Sequence, residues 1–586
     1  MKNHSCAFFV DRAISFESLF IQKEEYKLID EFRRKVPLTT YEDYRDYIDR
    51  MIQHGEKHLL TTNSIIYYGT SSGTTSKVKY LPLTSTMTKI YIMLARLGTS
   101  AIWRSLSTSY PCPEQRWFHL YIGKKSKKFP RSKDGIPMGP VTQISSAVSY
   151  IPGMNIVLST FNTLSVNLIE NIEDFETSAL VQLIFALAVP DLFSYTILFA
   201  PTFIHSMKII EEHFQEICQC ISSCNVDQSS VIRNNLHDRK VRQTLNESLN
   251  ELTMEYGGFV YRQQRAEHIR NECLKKDHCG LLHRLWPTLV FVSTAIGSSF
   301  VMYKNQIESY CGKKLPLINV VIYCASEGFF GSLASIYTDE YILSPISVFF
   351  EFIKEEDIHE TQPKTLLISE ITPGHRYELV ITTEAGLNRY RMGDVINCTR
   401  FLSRSDDLIP LPLEFEVIPR IPLISVAYRI GSLLDVFGEK TTEEHVLHAL
   451  TETVHQWKNQ RLSVDLCDFT TYPRLDVFPP RYVIFLELSD EHSIGDEQLE
   501  MLKKNVNKDV EKQLCQANDG YQRTRNVNKL ASLNCIFVHN GTFSTFRNKK
   551  LITDQLTPLQ IKPHRLLKNE EHIEFFYQNQ MKTSSA

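Results

Sequence analysis

The chain has 586 residues, 43% of them hydrophobic and 11% aromatic, with a formal net charge of -3. That length exceeds one ordinary core and predicts two or more domains, while the apolar content excludes a disordered chain. The near-neutral balance argues against nucleic acid as the main partner. Thirteen cysteines, scattered from Cys6 to Cys535, read as reduced thiols of a cytoplasmic protein rather than a disulfide scaffold.

In chain order, MKNHSCAFFVDRAISFESLF has too short an apolar run before Asp11 and Arg12 for a secretory leader. The stretch GTSSG (69–73) then fits two templates. It matches G-x-S-x-G, the turn of a hydrolase nucleophile, and extended to SSGTTSKVK it is a hydroxyl-rich loop ending in lysine, suited to phosphate. It is not a Walker loop, because no Gly-Lys-Ser/Thr ending follows. The basic run GKKSKKFPRSK (123–133) reads as a solvated loop rather than an import signal.

Residues 178–204, SALVQLIFALAVPDLFSYTILFAPTFI, are apolar enough to suggest a membrane span. Pro190 interrupts them, so two buried helices are expected and no membrane partner. Ile210, Phe214, Ile217 and Ile221 mark one helical face; Cys218, Cys220 and Cys224 fall on the same helix as core or surface thiols rather than metal ligands. LVFV (289–292) and VVIY (320–323) read as strands of a helix-covered parallel sheet, and 377–396 as a hairpin turning at Glu384-Ala385-Gly386.

A proline-rich stretch over 400–430 then breaks the pattern and predicts an interdomain connection, dividing the chain into 1–430 and 431–586. Beyond it, Thr441 and Glu444 have capping-box spacing ahead of a helix. RYVIFLEL (481–488) and NCIFVH (534–539) read as strands, and Leu499, Leu502, Val506, Val510 and Leu514 as a second helical face. The expected architecture is a large α/β domain with buried sheets followed by a small α+β domain.

Two further stretches carry chemistry. YCASEG (323–328) places Ser326 and Glu327 at a strand end, where a carboxylate can hold Mg²⁺ beside phosphates. NRYRMGDV (388–395) places Asp394 where its carboxylate can accept ribose hydroxyls. Taken alone, each is more simply a turn or strand-end acid.

Together, SSGTTSKVKYLP (71–82), YCASE (323–327) and YRMGDV (390–395), in this order, make the chain resemble the Gretchen Hagen acyl acid-amido synthetases. This auxin-responsive group belongs to the adenylating superfamily of firefly luciferase and acyl-CoA synthetases. VPLTTYEDYRDYI (36–48), LPLINVVIY (315–323), GEKTTEEHV (438–446) and QIKPHR (560–565) extend the likeness over nearly the whole chain. The resemblance implies an ATP-dependent ligase that activates a carboxylic acid as acyl-AMP and passes it to an amine, an amino acid above all, with Mg²⁺. A monomer with a mobile C-terminal domain is expected.

By the same resemblance Ser71, Ser72, Thr74, Thr75 and Lys79 surround the ATP phosphates. Tyr323, Ala325 and Ser326 line the adenine side, Glu327 faces the metal, Asp394 holds the ribose and Lys562 reaches the reacting centre. The chain departs from the pattern in three places: its loop is one residue shorter and lacks the second glycine, Ala325 replaces a serine, and Pro563 directly follows Lys562. An adenylate-binding scaffold without turnover, or an adenylating enzyme with a thiol acceptor, are the alternatives.

Overall fold

The computed structural model describes residues 25–71, 78–105, 116–120, 129–144, 163–403 (without 276, 298–299 and 301–302), 420–430, 434–462 (without 435, 438, 440 and 461), 464–489, 495–551 and 564–581. The chain divides into two compact units: one takes in most of the residues up to Ser425, the other runs from Val426 and includes Gly393–Val395.

The strands that begin in the first unit are, in chain order, β1 (Ile65–Ser71), β2 (Lys79–Thr84), β3 (Arg116–His119), β4 (Met138–Pro140), β5 (Leu192–Phe199), β6 (Phe291–Ala295) and β7 (Leu317–Ile318). They continue as β8 (Ile322–Ala325), β9 (Gly328–Leu333), β10 (Tyr341–Leu343), β11 (Phe349–Lys354), β12 (Thr365–Leu366), β13 (Arg376–Thr382), β14 (Tyr390–Phe401) and β15 (Pro422–Arg429). Three sheets result. One is parallel, in the order β3-β5-β6-β7; one joins β2-β1-β4; the largest runs β12-β11-β13-β14-β15-β10-β9-β8.

The parallel sheet and its helices enclose the main core. Helix Phe175–Ala188 starts at Asp174, whose carboxylate accepts the Thr177 amide, and is buried on every side from Thr177 onward. Its run of apolar residues was expected to continue as a second helix after Pro190. Instead Leu192–Phe199 is β5, and the next helix, Ala200–Ser223, begins only then, with proline in its first turn. A segment buried on all faces has neither a 3.6- nor a 2-residue period, so only the aromatic and β-branched content of LFSYTILF marks a strand. Buried Arg265 ties this layer together by donating to the carbonyls of Leu187, Val189 and Leu285.

Helix Ala200–Ser223 buries Ile210, Ile217 and Ile221 as its spacing predicts. Cys218 and Cys220 donate to the carbonyls of Ala266 and Val226, and burial pushes their thiols up to about 11 and about 12. Among the described residues no cluster of histidine, cysteine, aspartate or glutamate has the make-up of a metal site.

The run LVFV contributes Phe291 and Val292 to the parallel sheet. VVIY does not: β8 begins at Ile322 and forms an antiparallel hairpin with β9 in the large sheet. The 377–396 hairpin is β13 and β14. Its turn needs glycine at 386, where φ is +102° and an added Cβ would lie 2.3 Å from the Leu60 carbonyl oxygen.

The second unit packs helices Glu443–Asn459 and Asp496–Ala517 with a sheet of β16 (Asp465–Arg474), β17 (Arg481–Ser489) and β18 (Asn534–Val538). Leu502, Val506, Val510 and Leu514 are buried as their period predicts. The capping box sits one residue later than its expected place, with Thr442 and His445 in the reciprocal roles. Thr441 is otherwise engaged: its backbone pairs with Leu434, and its hydroxyl accepts from Asn518.

Candidate functional site

The loop that raised two readings is closed by a hairpin. β1 and β2 pair in register from Tyr67 opposite Leu83 to Ser71 opposite Lys79. A nucleophile elbow needs a strand that turns into a helix; here the strand turns into another strand, and the hydrolase reading fails. Gly69 serves packing, since a Cβ there would stand 2.6 Å from a Val141 methyl group. Ser71 is described through its backbone alone, and Ser72, Thr74 and Thr75 lie outside the described residues.

At the head of β2, the Lys79 ammonium lies 5.3 Å from the centre of the Tyr41 ring. The Tyr41 hydroxyl accepts the Tyr80 amide at 2.9 Å, and burial pushes that phenol up to about 12, so it stays neutral. The aromatic face thus offers Lys79 a resting place at one end of the loop.

Ser326 and Glu327 form the two-residue turn between β8 and β9. Ser326 Oγ donates to the Thr70 carbonyl at 3.4 Å, joining this turn to the strand that leads into the loop. Beside it, the Thr70 hydroxyl is buried and has no hydrogen-bond partner among the described residues. Tyr323 is buried, with its ring 5.5 Å from Phe330 and 5.9 Å from Tyr341, while Ala325 is half-buried opposite Gly328.

Glu327 is only 4% exposed, and its Oε1 accepts the Tyr390 hydroxyl at 3.2 Å. Tyr390 opens the third motif, so within the first unit the strand that leads into the loop is joined to Ser326, and Glu327 to Tyr390. The hairpin that presents Tyr390 is fixed by Arg389, a non-glycine residue held at φ +46°. Its guanidinium donates to Glu351 at 2.9 Å and to the carbonyls of Arg33 and Val36. Arg391 is structural too, pairing with Glu378 at 2.6 Å.

Three residues along β14, Gly393 needs its φ of +75°, and its carbonyl accepts the Ile430 amide at 2.6 Å. Asp394 groups with the second unit. It is largely buried and lies 3.6 Å from the guanidinium of Arg429. No sequence signal marked Arg429, because its partner stands on a neighbouring strand.

Lys562 and Pro563 lie outside the described residues, which resume at His564. His564–Leu567 runs beside β16: the Thr471 amide donates to the Arg565 carbonyl at 2.9 Å and the Leu567 amide to the Thr471 carbonyl at 2.8 Å. Buried Arg565 pairs with Asp468 and, at 3.1 Å, with Glu443. Burial pushes the His564 imidazole down to about 4.

The residues present suit the groups an adenylating enzyme needs. Glu327 is a hard oxygen donor of the kind Mg²⁺ takes, and the orphaned Thr70 hydroxyl marks a polar position beside the loop.

This hairpin, turn and carboxylate set lies in the larger of the two units, an α/β body of three sheets among the described residues. The chain belongs to the GH3 family: it matches that family's N-terminal domain over residues 18–317, its central domain over 341–408 and its C-terminal domain over 444–571. Among its relatives are indole-3-acetic acid-amido synthetase GH3.17 of Arabidopsis thaliana, 26% identical over 90% of this chain and 84% of that protein, and jasmonoyl-L-amino acid synthetase GH3.5 of Oryza sativa subsp. japonica, 26% identical over 88% and 83%. The solved structure of GH3.15 acyl acid amido synthetase shares the fold, with a TM-score of 0.74, 24% identity, and coverage of 96% of this chain and 89% of that one.

Proposed function

We propose that this chain is an ATP-dependent acyl acid-amido synthetase. Its substrates are a small carboxylic acid, ATP and an amine, an amino acid above all, as the names of its relatives suggest. In the first half-reaction a carboxylate oxygen bonds to the α-phosphorus of ATP, the α–β anhydride breaks and pyrophosphate leaves. In the second, the amine nitrogen bonds to the acyl carbon of the acyl-AMP, AMP departs and the amine loses a proton. The observation that supports this reading is the link from the strand leading into the loop, through Thr70, to Ser326, and from Glu327 to Tyr390 of the third motif.

In this reading the hydroxyls of Ser71, Ser72, Thr74 and Thr75, with the Lys79 ammonium, bind the triphosphate. Tyr323, Ala325 and Ser326 form the adenine side, Asp394 accepts the ribose hydroxyls, and Glu327 holds Mg²⁺. Mg²⁺ supplies neutralisation of phosphate charge when bound. Lys562 brings its ammonium to the reacting centre when the C-terminal domain, 431–586, closes over the large domain, 1–430.

The shortened loop favours a second reading, a nucleotide-binding scaffold without turnover, since it lacks one permissive glycine. ATP–pyrophosphate exchange over a panel that includes indole-3-acetate, jasmonate and 2,4-DB separates the two. A ligase returns label into ATP with at least one acid, and a scaffold returns none. Mass spectrometry of products with amino acids or coenzyme A then distinguishes an amide from a thioester.

We also place the protein in the cytoplasm as a monomer. No helix among the described residues is long and apolar enough to cross a membrane. Sedimentation as a dimer, or recovery with membranes on fractionation, would count against this placement.

A further inference from the structure

The stretch VPLTTYEDYRDYI (36–48) grips the start of β14 within the first unit. The Thr39 amide donates to the Arg389 carbonyl at 2.9 Å and the Arg391 amide to the Thr39 carbonyl at 2.8 Å, so the backbone of Tyr390 is held from both sides. Just before it, the Thr39 hydroxyl donates to the Asn388 carbonyl at 2.7 Å, and the Tyr44 hydroxyl accepts the Asn388 amide at 2.7 Å. The fully buried Tyr44 ring packs 6.2 Å from the ring of Tyr390.

This grip fixes a side chain as well as a strand. The Tyr390 ring is buried, and its hydroxyl donates to Oε1 of Glu327 at 3.2 Å. The terminal torsion of a glutamate is broad and sets no plane for its carboxylate; a donor that holds one oxygen does. Packing alone would be met by phenylalanine. Packing also leaves unexplained why Arg389, the residue just before Tyr390, sits in the left-handed region at φ +46°. A non-glycine residue is costly there and persists where its surroundings over-determine it, at functional sites above all.

We infer that Tyr390 is a positioning residue for the Glu327 carboxylate, and that Thr39 and Tyr44 are the platform that aims it. This rests on the reading of Glu327 as the residue that holds Mg²⁺. Neither tyrosine needs to touch nucleotide or metal. Loss of a donor that orients a metal-binding group costs ~10- to 100-fold in metal affinity.

The test measures ATP binding to the full chain by calorimetry, once with excess Mg²⁺ and once in EDTA. The ratio of the two Kd values isolates the contribution of the metal from that of the remaining nucleotide contacts. Tyr390→Phe should weaken ATP binding at least ~10-fold with Mg²⁺, while Kd in EDTA stays within ~2-fold of the parent value. A loss of general stability alone would leave the ratio unchanged. In a Glu327→Gln background the same substitution should alter the ratio by less than ~2-fold, because the carboxylate it orients is gone.

Should Tyr390→Phe fold poorly, Tyr44→Phe carries the same comparison. It keeps the ring, removes the anchor of Asn388 and should shift the ratio ~5-fold, the weight of one ordinary hydrogen bond. A folded Tyr390→Phe protein with the parent ratio, where Glu327→Gln shifts it, overturns the inference and leaves Glu327 in place. So does a full, additive shift in the double variant. A Glu327→Gln protein with the parent ratio instead overturns the reading of Glu327 itself, and the inference with it.

Discussion

Tyr390 donates its hydroxyl to the buried carboxylate of Glu327 at 3.2 Å, joining a residue of the β8–β9 turn to the first residue of β14. The pair explains why a tyrosine precedes the glycine-aspartate of the third motif. A carboxylate that is 4% exposed needs donors to remain charged.

That dependence predicts opposite effects for two substitutions. Tyr390→Phe leaves the carboxylate one donor short and should cost about 1.5–3 kcal/mol of stability in urea unfolding. Glu327→Gln keeps the shape and an acceptor for Tyr390 but removes the charge. It should unfold no more easily than the parent, yet lose ~100-fold or more in pyrophosphate exchange. A Glu327→Gln variant that exchanges at the parent rate would remove this residue from the metal role.

Asp394 accepts two ribose hydroxyls in our reading, and charge-assisted bonds are worth ~1.5–3 kcal/mol each. Asp394→Ala should weaken ATP binding by at least ~10-fold in calorimetry. The fold should be little disturbed, because the residue's ion-pair partner Arg429 is 42% exposed and regains water. Unchanged ATP affinity in a folded variant would exclude Asp394 from the ribose site.

Lys79 sits over Tyr41 at one end of the loop and, in our reading, reaches a phosphate only when nucleotide is bound. A half-buried contact of this kind contributes on the order of 1 kcal/mol to folding, whereas a charge-assisted phosphate contact is stronger. Lys79→Ala should therefore slow exchange ~10-fold or more while shifting the unfolding midpoint only slightly. Tyr41→Leu removes the resting place together with the hydroxyl bonded to Tyr80, so it should cost stability but leave the rate nearer to that of the parent. The phosphate-cradle reading falls if Lys79→Ala matches the parent rate.

His564 gives the second unit a defined pH response. Burial holds its imidazole at about 4, with His572 adding to the effect, against an ordinary value of 6.5. The folded protein therefore refuses a proton that the unfolded chain takes up. Stability from this group is complete above 6.5 and is lost as pH falls from 6.5 towards 4. Hydrogen exchange in β16 should speed up between about pH 7.5 and about pH 5 after correction for intrinsic rates, and His564→Gln should flatten that difference. An unchanged pH response in the variant would mean that other groups cause it.

Much of this was legible in the sequence where a period survives. The 499–514 face keeps one solvent side and the hairpin at 377–396 a clear turn, and both reappear in the structure, as does the strand at 481–488, which is buried along almost its whole length. β5 was hidden because burial on both faces erases the alternation that would separate it from helix Phe175–Ala188. The cap shifted from Thr441 to Thr442 because a bridge to Leu434, set by tertiary structure, had already engaged Thr441. Within the site, the motifs were readable as a set, but their couplings were not. Ser326 finds a backbone carbonyl, which leaves no trace in residue identity, and Arg565 finds Asp468 97 residues away.

The close approach of Gly386 to Leu60 has a consequence for how the protein is made. Several residues of the 33–63 region take partners from much later in the chain. Tyr44 bonds to Asn388 across 344 residues, Thr61 to Glu384 across 323, and Arg389 to the Val36 carbonyl across 353. As the chain leaves the ribosome, its early helices lack these partners until the β13–β14 hairpin has emerged, roughly 20 s or more later at ~5–20 residues per second. The amino-terminal stretch must wait, exposed, for the last pieces of the sheet. Folding of this unit is therefore gated by translation of its own middle, and chaperone demand should peak before residue 390 is in place.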